Sequence, residues 1–111
     1  MQKLLISLLA IFFSCSAMAD SVVEMCRDSD KICACAADLL KSEVGDDDYT
    51  LYETIGAAYI ANQANGMGVS DAWDAAVKVE ATRRGSTSTN ILSKTNSIGK
   101  AHRKAINSCK K

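Results

Sequence analysis

Residues 21–44 read SVVEMCRDSDKICACAADLLKSEV, and the fold turns on how the three cysteines inside this stretch can be joined. Val22, Cys26, Ser29, Cys33, Ala36 and Leu40 recur at spacings of four and three, which alone describes one helix from Val22 to Val44. Disulfide geometry contradicts that helix. Beyond an N-terminal leader the chain carries four cysteines, Cys26, Cys33, Cys35 and Cys109, so two bonds require one bond within the first three. In a continuous helix the step from Cys26 to Cys33 rises about 10.5 Å, whereas a disulfide joins Cα atoms no more than about 7 Å apart. Cys33 and Cys35 project from nearly opposite sides of a helix and cannot pair.

The chain must therefore turn between Cys26 and Cys33. The polar run Arg27-Asp28-Ser29-Asp30 is the place for it, with Ser29 or Asp30 capping the next helix. A short helix near 21–27, opened by a Ser21/Glu24 capping box, and a second near 30–44, ended by Gly45, follow. Two pairings remain. Cys26–Cys33 with Cys35–Cys109 is preferred over Cys26–Cys35 with Cys33–Cys109, because the shorter ring suits a tight turn.

Disulfides are the expected use of these cysteines because the chain reads as exported. MQKLLISLLAIFFSCSAMA, residues 1–19, has a positive Lys3, an apolar run from Leu4 to Phe13 and a small-x-small site at Ala17 and Ala19. The apolar run is too short for a membrane span, which needs roughly twenty residues. Cleavage after Ala19 removes Cys15 and leaves residues 20–111 as a single helical domain in the periplasm or outside the cell. A lipoprotein reading, with Cys15 lipidated, is disfavoured by the Phe12-Phe13-Ser14 that precedes it. An even cysteine count in a short exported chain describes a disulfide framework. Cys-x-Cys is not a zinc-knuckle spacing, and the single histidine, His102, lies far from it in sequence.

Outward from the cysteines, helices remain the only pattern. Proline is absent, and no window alternates as a strand does. Asp46-Asp47-Asp48 lacks the spacing of a calcium loop and suits the start of a helix, whose dipole favours carboxylates. That third helix is expected from about Asp48 to Ala64, with Leu51, Tyr52, Ile55, Tyr59 and Asn62 facing inward. After the loop Asn65–Gly68, Ser70 is expected to cap a helix from Asp71 to Arg84, with Trp73, Ala76, Val77 and Glu80 on one side and Gly85 ending it. A last helix spans Thr89 to Cys109, with Ile91, Thr95, Ile98, His102, Ala105 and Cys109 on its apolar stripe; Asn96-Ser97 is the point where it could break. The expected fold is an all-α, disulfide-stapled bundle of four to five helices.

Charge is divided along the chain. Residues 20–80 hold thirteen acids and four bases, a net of −9, and residues 81–111 hold eight bases and no acid, a net of +8. Acidic and basic helices lying side by side account for this more simply than a free basic tail. Lys100, Arg103 and Lys104 are the candidates for contact with an anionic surface such as lipid, whereas a domain charge near zero speaks against nucleic acid.

No catalytic constellation is legible. His102 has no sequence-local partner to make it a general base, and no Gly-x-Ser-x-Gly elbow exists. The expectation is a non-enzymatic protein without cofactor or metal that binds a protein partner. The alternative is a carrier of lipid or another amphiphile, which needs an apolar cavity of about 300 Å³ or more between the helices.

Overall fold

The capping pattern and disulfide constraint resolve into five helices in the computed structural model, which describes residues 20–111. They are α1 (Ser21–Cys26), α2 (Asp30–Val44), α3 (Asp46–Ala64), α4 (Val69–Arg84) and α5 (Ser88–Lys110). The signal-peptide reading, with Cys15, lies outside the described residues.

The turn required by the cysteines is present. Arg27 takes a left-handed conformation at φ 58° and stops α1, and Ser29 caps α2 by accepting from the Ile32 amide at 3.3 Å. Cys26 pairs with Cys33 across the turn, with Cα atoms 5.6 Å apart. Cys35 pairs with Cys109, at 6.0 Å, and fastens α2 to the end of α5.

Three local expectations are corrected. Ser21 does not cap α1: Asp20 does, accepting from the Val22 amide at 2.9 Å. Ser21 is buried and donates instead to the Glu53 carbonyl at 2.6 Å, which ties α1 to α3. Ser70 does not cap α4, because the helix begins two residues earlier than expected, at Val69 after Gly68, with no side-chain cap. α3 begins at Asp46 and not Asp48, because Gly45 at φ 90° lets one helix follow another without a loop; all three aspartates then sit in the first turn, where the dipole favours them. Asn96 and Ser97 do not interrupt α5, whose N-cap is Thr87.

α3 is the central element and touches all four other helices. Tyr49, Leu51, Tyr52 and Ile55 are buried on it, so the inner face is wider than a single stripe. α5 buries Ile91, Thr95, Ile98, His102 and Ala105, the stripe expected of it. The basic segment is therefore packed and not a tail. Lys94 meets Asp48 at 3.6 Å and Lys110 meets Asp28 at 3.4 Å, pairs that join the basic and acidic parts of the chain. Glu80, 3% exposed, is bound by Arg83 and by Arg84, the latter at 2.6 Å. These hydrogen bonds hold its carboxyl below the usual range against the opposing effect of burial.

Two glycines show how closely α3 is approached. A Cβ on Gly56 would lie 2.5 Å from the Met25 methyl and 3.1 Å from the Ser21 hydroxyl, so glycine is what lets α1 close on α3. Gly99, inside α5, is different: a Cβ there would meet only the Tyr52 hydroxyl, at an ordinary 3.9 Å. Gly99→Ala is therefore expected to stabilise the protein by about 0.8–1 kcal/mol, the helix-propensity difference between the two residues. In a domain of this size that raises the melting midpoint by roughly 4–8 °C. A thermal melt followed by circular dichroism checks it, and a lowered midpoint would contradict the spacing of α3 and α5.

Candidate functional site: an aromatic groove

Where α1, α3 and α4 meet, the surface is indented by a groove of about 510 Å³, open to solvent. α1 and its C-cap contribute Glu24, Met25 and Arg27; α3 contributes Tyr52, Tyr59, Ile60 and Gln63; α4 contributes Val69, Ser70, Trp73 and Asp74. The helical repeat explains the set. Tyr52 and Tyr59 lie two turns apart on one face of α3, as do Val69 and Trp73, one turn apart, on α4. Asn62 fixes the two helices at the closed end of their hairpin, its amide donating to the Ala72 carbonyl at 3.0 Å.

The aromatic side chains form a continuous wall. Tyr59 and Trp73 meet edge to face with centroids 5.2 Å apart, and Trp73 meets Tyr52 at 6.2 Å. Trp73 and Tyr59 are only half-buried, so they support the core and also face the groove. Val69, 62% exposed, and nearby Met67, 44% exposed, extend apolar surface beyond the rim. Two carboxylates and one guanidinium, from Glu24, Asp74 and Arg27, line the same groove.

Behind this wall Tyr52 continues into the core. Its ring meets that of His102 at 5.6 Å, and its hydroxyl lies 3.1 Å from His102 Nδ1. Burial pushes the Tyr52 phenol up to about 12, with Arg103 opposing, so the hydroxyl keeps its proton across the physiological range. His102 is 3% exposed and its Nε2 has no hydrogen-bond partner among the described residues. Also in the core, Tyr49 donates to the Asp20 carboxylate, and burial followed by that bond pushes the Tyr49 phenol far above its ordinary value.

The residues singled out in the sequence fall in two places. Cys26, Cys33, Cys35 and Cys109 form the two disulfides. Lys100, Arg103 and Lys104 all lie exposed on α5, and none is ion-paired among the described residues. They face solvent on α5 and are not part of the groove. The sequence by itself marks neither the groove nor its wall as a site. The spacing of Tyr52 and Tyr59 reads as core, and nothing in the sequence places Arg27 and Trp73 at one rim. Among the described residues no three His, Cys, Asp or Glu side chains gather as a metal site, and no helix is long and apolar enough to cross a membrane.

Fold and staples define a small, disulfide-bonded, all-α protein, and two disulfides are consistent with an oxidising compartment. Comparison with protein-family models, with curated proteins and with solved structures finds no match to this chain.

Proposed function

We propose that this is an exported, non-enzymatic binding protein of the periplasm or the extracellular space, which takes a segment of a protein partner into the aromatic groove. The half-exposed Tyr59–Trp73 pair carries this reading. Half-exposed aromatics in a concave, partly apolar site are what anchor an interface, because they bury a large area at little entropic cost. The groove's two carboxylates against one guanidinium, on helices that belong to the acidic part of the chain, favour a partner segment with a basic flank.

A second reading, carriage of a lipid or other amphiphile, draws support from the groove volume of about 510 Å³, which lies within the range of small-molecule sites. Its openness to solvent favours the protein partner, since a carrier must cover an apolar tail.

A photo-crosslinking residue placed at Ile60 or Val69 separates the two. Both positions line the groove without belonging to the fully buried core. A discrete protein adduct in the native envelope or secreted fraction, absent when the residue is at exposed Lys78, is the expected result. A lipid released from the purified protein by solvent extraction, with no protein adduct, would replace this reading with the carrier.

A further inference from the structure

Four rings connect the groove to the core of α5: Tyr59, Trp73, Tyr52 and His102, with successive centroids 5.2, 6.2 and 5.6 Å apart. His102 closes this row in a setting suited only to a neutral imidazole. One nitrogen has the Tyr52 hydroxyl at 3.1 Å; the other has no partner among the described residues. A neutral ring can accept a hydrogen bond from the Tyr52 hydroxyl at Nδ1. In that tautomer the neutral ring already carries its one proton on Nε2, so protonation adds the second at Nδ1. The ring then accepts nothing, Tyr52 must reverse its hydroxyl or move, and a full charge stands in the core with an Nε2–H that still has no acceptor among the described residues. Tyr52 is the ring that backs Trp73 in the groove wall.

We propose that His102 is the acid sensor of the aromatic groove: its protonation repositions Tyr52 and loosens the Tyr52–Trp73–Tyr59 wall, so the groove changes shape when the surroundings acidify. This rests on the groove as the binding site and concerns its regulation.

The groups around the imidazole agree with this assignment. Asp20, at the start of α1, is the carboxylate that acts on the ring and favours its protonation, but burial outweighs it and holds the imidazole below its ordinary value. Arg103, beside it on α5, acts on the Tyr52 phenol. The buried face of α2 is Cys33, Ala36, Ala37 and Leu40, with no titrating group. On α4 the buried carboxylate, Glu80, is engaged by Arg83 and Arg84. On α3, Tyr49 is bound to Asp20, and the carboxyl of Glu53 is raised, by burial first and next by the charge of that same Asp20. The sign follows from linkage. A histidine whose folded-state value is lowered supports the closed arrangement fully above about pH 6.5, the unperturbed value. That support is lost as pH falls through the lowered folded value.

The chain has one tryptophan and one histidine, so both ends of the row can be read separately in the free, oxidised protein. Trp73 emission followed from pH 7.5 to 4 should change reversibly, with a midpoint below about 6.5 that coincides with the His102 ring-proton shift by NMR, while helix content stays constant. His102→Gln, neutral at every pH, should abolish that change. Tyr52→Phe should leave the imidazole titrating but uncouple Trp73 from it, which keeps the test decisive if the glutamine variant fails to fold. Emission that stays flat while the imidazole titrates, an imidazole that does not titrate before the helices melt, or a transition that survives in either variant would overturn the gate. None of these readings involves a partner. A crosslinked partner with flat emission would therefore retain the binding function and remove only the gate.

Discussion

Cys109→Ser is expected to lower the stability of the oxidised protein by about 4 kcal/mol, the chain-entropy value for a loop of this length. The bond it removes joins residues 74 apart in sequence, and its Cα separation of 6.0 Å demands no backbone distortion. It also fastens α5, the helix that buries His102 and Ile98, to α2. Against a total stability of about 5–15 kcal/mol for a native domain, this is a large fraction. At roughly 4–8 °C per kcal/mol the melting midpoint should fall by at least about 15 °C. Lys110→Ser, next to the cysteine and exposed, serves as the control. The two bonds should also differ in lability. Cys35 is exposed and Cys109 half-exposed, whereas Cys26 and Cys33 are buried, and attacking thiolates need access to sulfur. Limited reduction followed by mass tagging should label Cys35 and Cys109 first. A variant that melts with the wild type, or early labelling of Cys26 and Cys33, would contradict the stapled arrangement.

Leu40→Ala should cost about 3 kcal/mol or more, within the range seen for buried leucines whose surroundings collapse only partly. Leu40 is among the largest fully buried side chains. It belongs to the main core cluster, with Val22, Leu51, Ile55 and Ile98, where close packing leaves little room for neighbours to shift. The void left by the lost side chain should therefore be only partly refilled, and its cost adds to the lost burial. The adjacent Leu39 supplies an internal comparison, because it is 43% exposed on the other side of α2. Leu39→Ala should change stability by no more than about 0.5 kcal/mol. Urea titrations of the two variants test the orientation of α2 directly. Equal losses would mean that α2 does not present Leu40 to the core.

The class of fold was legible in the chain itself, because the signals involved are local. Covalent geometry rejected a single helix over 22–44 whatever the rest of the protein does, and four-three spacing marked the α5 stripe residue by residue. Capping was less legible where a tertiary partner competed. Ser21 has the right side chain for a cap, yet the Glu53 carbonyl on α3 takes its hydroxyl and Asp20 caps α1 in its place.

What only the tertiary structure decided is the groove and the choice of cysteine partners. Sequence periodicity assigns Tyr52, Tyr59 and Trp73 to inward faces, and it marks the turn after Cys26, but it cannot say that α1, α3 and α4 meet so as to leave those rings lining an open groove. Nor can it bring Tyr52 to His102, fifty residues along the chain. Cys35 pairs with Cys109 because the docking of α5 on α2 brings those two Cα atoms within 6.0 Å, while the turn gives Cys26 its partner in Cys33. Helix formation depends on neighbours within a few residues, so sequence carries it. Grooves, long-range staples and buried ring pairs depend on how finished helices pack, and that is settled by the summed burial of all five of them.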